Sequence, residues 1–479
     1  MKTSLHIAVS LSALCTLHSA FSQGSLTPPG PPAPAMKTLA QIEPRTPISS
    51  LPFTISAPGS YYVTTNLTGP GGPAGITVAA DDVTIDLNGF FLAGLLGGGN
   101  SAIGVSGTHT NLTVRNGSLR DWDSYGVATP NTIGGHYERL HCSRIGLGGL
   151  NVGNDSLVLD SVIQRSPTSL ISFAGILTGT GCVVRNCVVF GSAGIGIQAG
   201  GGSTVSSCTV EYPIGTGISV GTDSIVTGCA VNSGAAVGIA AAQQSSVLDC
   251  NAGNNSASGI SAGYGATIRN CTANFNGGAG IALFDAGVVQ NCTTRQNSNH
   301  GIAAGNSSTV SGSTAVANTN IGILVGNGAT VSHCTLAANL NGILTGNNCT
   351  IIACSSSLNS SNGIFAALAC SIKDCNVSSN SASGIRASSY CLISGNLANR
   401  NAVGLTNNAN IYVTADDNQI MDNNATFGGP GIKTDSGYNL IVKNKATVNN
   451  PNFDLAPGGV AVPISSNPTN AGPWSNFSF

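Results

Sequence analysis

GISAGYGATIRNCTANFNGGA (259–279) is followed without a break by GIALFDAGVVQNCTTRQNSNH (280–300), and setting one against the other decides the fold. A Gly-Ile pair opens each. An aliphatic follows eight residues after the Ile (Ile268, Val289), a cysteine after eleven (Cys271, Cys292) and an asparagine after sixteen (Asn276, Asn297). Outward from here, Gly-Ile pairs recur at Gly175, Gly196, Gly217, Gly238, Gly301, Gly322, Gly342, Gly363 and Gly384, with Gly404-Leu405 read as the next; the spacing is 21 residues and twice 20. A self-similar period of this size predicts a solenoid, because no single unit can bury its apolar face alone. Short alternating runs separated by Gly, Asn and Ser turns predict strands and not helices. Three short strands per turn, stacked in register, make an all-β, single-stranded parallel β-helix. A leucine-rich repeat shares the period but needs an L-x-x-L-x-L core, and the inward positions here are Ile, Val, Ala and Cys.

Two rows of identical residues follow from the stacking. Asn255, Asn276, Asn297, Asn318, Asn339, Asn359, Asn380 and Asn401 recur at one place in eight coils. An amide both donates and accepts, so the row predicts a continuous ladder that saturates its own bonds. Cys187, Cys208, Cys229, Cys250, Cys271, Cys292, Cys334, Cys354 and Cys375 form the second row, interrupted by Ser313. Free cysteine is a small, buried filler, and parallel side-chain vectors fit a disulfide dihedral poorly, which predicts mostly free thiols. Metal binding is not expected, since no C-x-x-C or H-x-H spacing exists. A weaker polar row follows the first strand: Thr222, Gln243, Tyr264, Asp285, Asn306, Asn327 and Asn347. It reads either as turn chemistry or as the lining of a glycan groove.

Only 8% of the 479 residues are charged, 17 basic against 19 acidic, which leaves no electrostatic footprint for nucleic acid. Lys2, the apolar run Ile7 to Leu17 and Ala20-Phe21-Ser22 read as a signal peptide (1–22) cut before Gln23, so the chain is expected to be secreted or cell-surface, with no transmembrane segment. Residues 23–54 are a Pro-rich leader, 55–448 the β-helix with irregular N-terminal coils, and 449–479 an extended C-terminal tail, read as a strap on the barrel or a sorting signal. Oligomeric state is not legible.

Gly59-Ser60-Tyr61-Tyr62-Val63, the run from Gly75 through Asp81-Asp82 to Asp86-Leu87-Asn88-Gly89, and the later Gly-Ile and Asn-Cys-Thr units resemble exported bacterial right-handed parallel β-helix repeat proteins of the pectate-lyase-like superfold, over roughly residues 55 to 445. The resemblance implies a right-handed coil and an extracellular polysaccharide as partner. If the chain is an enzyme, it implies a polysaccharide lyase, glycoside hydrolase or uronan epimerase, with Ca²⁺ as the cofactor of a lyase and none otherwise required. The working residues of those families are absent as sets: Asn299-His300-Gly301 is a partial hydrolase match, no R-I-K exists, and Asp81-Asp82 and Asp416-Asp417 read as turns. The alternative function is a non-catalytic surface scaffold or adhesin.

One region breaks the monotony. Asp121-Trp122-Asp123, Tyr125, His136-Tyr137-Glu138-Arg139 and His141 lie where coils lengthen, and longer coils mean protruding loops where binding groups sit. These are the candidate carbohydrate-binding residues. Trp122 and Tyr137 are expected to stack on sugar rings, and the acids with a nearby Arg to do acid–base work or hold Ca²⁺. The competing reading is a charged, aromatic coil that merely closes the solenoid.

Overall fold

The computed structural model describes residues 42–69, 71–95, 98–165, 173–458 and 460–479. The expected signal peptide and the leader up to residue 41 lie outside them. The chain divides into two units, Met1–Arg45 and Thr46–Phe479. At the described end of the first, Arg45 pairs with Glu43 through two bonds of 2.7 Å.

The second unit is a parallel β-helix. Its first face is a sheet of 19 strands, which sets the number of turns at about 19. In the regular coils each turn contributes three strands of three residues, such as Ile260–Ala262, Thr267–Arg269 and Thr272–Asn274. Equivalent positions stack without slippage: Ile239, Ile260, Ile281 and Ile302 are successive partners on the first face, and Val247, Ile268, Val289 and Val310 on the second. All eight are fully buried. Each such side chain contributes about 1.5–3 kcal/mol relative to exposure, which no coil could realise without the coils above and below it.

Three corners close each coil, and the same device turns each one. In the coil of Ile260 the residues Gly265, Asn270 and Phe275 take φ of 67°, 53° and 58°, and each is followed by a small buried residue, Ala266, Cys271 or Asn276. The left-handed residue is therefore the one before the ladder position, not the ladder Asn itself. Its side chain points to solvent, which is why Phe275, Leu358, Tyr390 and Phe427 are exposed. Left-handed geometry costs an L residue about 1–2 kcal/mol, and the backbone bonds between coils offset it at every corner.

The asparagine ladder is continuous. Asn276 Nδ2 donates to Asn297 Oδ1 at 3.0 Å and to the Ala252 carbonyl at 3.1 Å, and Asn297 Nδ2 donates to Asn318 Oδ1 at 2.9 Å. The row runs on through Asn401, Asn410 and Asn449 to Asn452. Asn410 explains a correction. Gly404-Leu405 does not open the next coil; that coil's first strand is Ile411–Val413, and Asn410 stands where other coils have Gly. The following coil carries Gly428 at the ladder position, where a Cβ would lie 2.3 Å from Asn410 Nδ2. The Asn410 side chain has moved into the rung that Gly428 leaves open.

All fourteen cysteines among the described residues are free and buried. Their thiols point at carbonyls, as Cys250 Sγ does to Leu248 O at 3.0 Å. A second, shorter thiol row, Cys349, Cys370 and Cys391, stands at another corner, and towards the C-terminus both rows give way to amides: Asn396, Asn423, Asn444 and Asn476 continue the first, Asn418 and Asn439 the second.

The ladder also reaches further than residues 55–448. Thr46–Ile48 pairs with Tyr61–Val63, and Pro47 is tolerated because that strand is the edge. At the other end Phe453–Leu455 pairs with Ile432–Thr434, and Asn476 to Ser478 add bonds beside Lys445, so the tail supplies further rungs.

Candidate functional site

The residues singled out near the N-terminus do not converge. Strand His136–Ile145 alternates, so His136 and Glu138 face outward while Tyr137 points into the core. Tyr137 is 0% exposed, its hydroxyl is 2.6 Å from Thr129 Oγ1, and burial pushes its pKa up to about 12. Trp122 is 2% exposed and its indole N–H donates to the Leu92 carbonyl at 3.0 Å. A Cβ at Gly69, Gly75 or Gly94 would fall within 2.8 Å of that indole, so three glycines from neighbouring coils form its slot. Neither ring can stack on a sugar, which corrects that expectation. Tyr125 is buried too, edge-on to Phe173.

The charged members are engaged with one another. Arg144 binds Asp121 through two bonds of 2.6 and 2.7 Å and holds its carboxyl below the usual range. Arg139 Nη2 lies 2.7 Å from Glu138 Oε1, and His136 Nε2 lies 3.6 Å from Glu138 Oε2. Asp123 accepts from the Gly99 amide at 2.9 Å. His141 stands exposed on the third face, opposite Ser118 and Val162. His136, Glu138 and Arg139 thus share one neighbourhood, Asp121 sits at a corner, and the set spans several faces. Among the described residues no group of three His, Cys, Asp or Glu is placed to hold a metal ion. With Asp121 and Glu138 neutralised by arginines, these acids do not fit a Ca²⁺ cage.

The polar row after the first strand is realised in its C-terminal half as a second, exposed ladder. Asp285 Oδ1 accepts the Asn306 amide, Asn306 Oδ1 the Asn327 amide and Asn327 Oδ1 the Asn347 amide, each at 2.8 Å. These side-chain oxygens, one carboxylate and two amides, hold the next coil's backbone, which is turn chemistry.

A column that sequence reasoning missed carries the strongest site. On the first face the outward residues Leu324, Leu344, Phe365, Arg386, Tyr412, Lys433 and Asp454 are successive partners, one coil apart. The Arg386 guanidinium lies between two rings, 5.2 Å from the Phe365 centroid and 5.4 Å from that of Tyr412. Its Nε is buried and has no hydrogen-bond partner among the described residues. Lys433 Nζ is 2.5 Å from Asp454 Oδ2 and 6.0 Å from the Tyr412 centroid. The Tyr412 hydroxyl donates to Asp435; burial first, then that carboxylate, pushes its pKa up to about 12. The one Tyr412 hydroxyl proton is therefore committed to Asp435, and Arg386 is a fixed cation with an unused donor. Beside them the coil from Ile385 to Ile411 carries 26 residues, against 21 in the next, and its extra segment exposes Val403 and Leu405.

This register hid the column. With Gly404-Leu405 taken as the next strand, Tyr412 falls out of line with Arg386. Ile411 followed 21 residues later by Gly431-Ile432 was the available signal.

A solenoid with these faces and corners is a right-handed parallel β-helix. The family profile described as "Right handed beta helix region" matches residues 171–321 and, in an overlapping register, 216–354. Among solved structures, the chain is similar to the Azotobacter vinelandii mannuronan C-5 epimerase AlgE4 A-module, at 14% identity over 84% of this chain and 90% of that one, with a TM-score of 0.26. It is similar as well to the periplasmic alginate epimerase AlgG (12% identity, 81% and 78% covered, TM-score 0.26). A PL6 family alginate lyase, AlyGC, gives 10% identity, 90% and 96% coverage and a TM-score of 0.27. No curated protein matches the sequence. No helix among the described residues is long and apolar enough to cross a membrane.

Proposed function

We propose that this is an exported protein that binds an extended polysaccharide containing acidic sugars, laid along the first face across the coils of Phe365 to Lys433. The observation that carries the reading is Arg386: a partly exposed guanidinium held between two aromatic rings, with no ion pair among the described residues. A sugar carboxylate matches the charge of that guanidinium and the fork of its terminal nitrogens. The column advances one strand spacing, about 4.8 Å, per coil, which suits a chain and not a compact ligand. The N-terminal sequence supports export, and the sequence resemblance supports a polysaccharide. Tyr412, whose one hydroxyl proton is held by Asp435, serves here as an aromatic face beside the Arg386 guanidinium.

Electrophoresis through gels containing acidic or neutral polysaccharide tests this. Retardation in an acidic gel that Arg386→Ala abolishes is the expected result; equal mobility in every gel overturns the proposal. The scaffold reading is favoured by one observation, the uncharged outward row Ala240, Ser261, Ala282 and Ala303 on the same face, and it predicts that equal mobility.

A further inference from the structure

The outward column also says how the charges on the ligand must be spaced. We infer, resting on the binding reading above, that the ligand is an acidic heteroglycan whose charged sugars are isolated among neutral ones with an apolar face, and not a homopolyuronate.

A homopolyuronate laid along the solenoid axis brings a carboxylate to almost every coil, and the column answers only one of them. Arg386 is the cation without a carboxylate partner; Lys433 is already paired with Asp454. On the N-terminal side the next outward residues are Phe365, Leu344 and Leu324, followed by Ala303 and Ala282. A second carboxylate there would lose water against apolar side chains with no compensating donor, which is strongly unfavourable. On the C-terminal side it would meet the Asp435 carboxylate, which accepts from Tyr412, and a Lys433–Asp454 pair that leaves no net positive charge to receive it. A like charge at such a position discriminates against the wrong ligand, as Arg386 selects the right one.

The half-exposed Phe365, Leu344 and Leu324 instead suit sugars that present carbon faces or a methyl group, such as a 6-deoxyhexose. Aromatic and aliphatic side chains offer contact area to such faces without asking for charge. The ligand chemistry is then one anionic sugar at Arg386, with neutral sugars over the coils on the N-terminal side.

Affinity measurements on the whole chain separate this inference from the reading it rests on. The probes are polygalacturonate and polymannuronate as homopolyuronates, and deacylated gellan, a linear polymer with one glucuronate and one 6-deoxyhexose per tetrasaccharide repeat. Gellan bound at least about ten-fold more tightly than either homopolymer is expected. One neutralised charge also predicts a shallow salt dependence, with a slope of log K against log salt no steeper than roughly −1. Phe365→Ala should weaken gellan binding several-fold and leave homopolyuronate binding unchanged, while Arg386→Lys, which keeps the charge and most of the bulk, should retain part of the affinity. Homopolyuronates bound as tightly as gellan, or with a slope near −3 or steeper, overturn the inference and leave acidic-glycan binding standing. No binding of any of the three polymers overturns both.

Discussion

Removing a single rung from the amide ladder tests the packing logic of the solenoid. Asn318 Oδ1 accepts from the backbone N–H of Asn297 at 3.2 Å and from its Nδ2 at 2.9 Å, while Asn318 Nδ2 donates to Asn339 Oδ1 at 3.0 Å. Asn318→Ala leaves the Asn297 N–H without a partner in a site 1% exposed, deprives Asn297 Nδ2 of one of its two acceptors, and opens a small cavity. At about 1–3 kcal/mol for each buried donor stranded, the loss is about 3–5 kcal/mol, a factor between two and four orders of magnitude in local opening. Asn327→Ala removes one bond from the exposed ladder, Asn347 N to Asn327 Oδ1, where water replaces the partner, and should cost under about 1 kcal/mol. Amide hydrogen exchange reads both, because a solenoid opens coil by coil. Exchange in the coils of Asn297 and Asn339 should accelerate strongly in the first variant and hardly in the second. Equal effects would refute the claim that the inward amides, and not the polar rows in general, hold the coils in register.

Gly428→Ala should destabilise the C-terminal coils by about 1–3 kcal/mol by driving a methyl group into Asn410, and Gly428→Asn combined with Asn410→Gly should recover most of the loss in urea unfolding by rebuilding the regular rung. Trp122→Ala should cost about 3–5 kcal/mol yet leave polysaccharide retention intact, and iodide should quench Trp474, which is exposed, but not Trp122. In alkaline titration followed at the tyrosinate band, Tyr137 and Tyr412 should ionise only near pH 12. Their folded-state values lie above the ordinary value near 10, so the stability they contribute is full below pH 10 and is lost as pH rises from about 10 to about 12. Thiol reagents should find none of the fourteen described cysteines reactive in the native chain, and all of them as free thiols after unfolding without reductant.

Periodicity made the fold legible. Ile, Val and Asn recur at fixed offsets because each coil repeats one solution to the same packing problem, and the offsets survive as long as the coil length does. Legibility failed where length changed. The long coil before Ile411 shifted the count, so Asn410 was not recognised as a rung, nor Arg386, Tyr412 and Lys433 as a column. At the N-terminus residue type alone does not set direction; strand alternation does. His136-Tyr137-Glu138 alternates as any strand does, and that alone sends Tyr137 inward. Trp122 could not have been placed in this way, since its slot is made by glycines 28 to 53 residues away that only the coil geometry brings together. Prolines misled at the boundaries: Pro47 reads as leader, and an edge strand accepts it.

The most direct measurement is calorimetric titration of an acidic polysaccharide into three forms of the whole chain: wild type, Arg386→Ala and Asp121→Ala. Binding that Arg386→Ala weakens at least about ten-fold, and that Asp121→Ala leaves unchanged, is the predicted result. Binding lost on changing Asp121 but kept on changing Arg386 would contradict the account and return the site to the N-terminal coils.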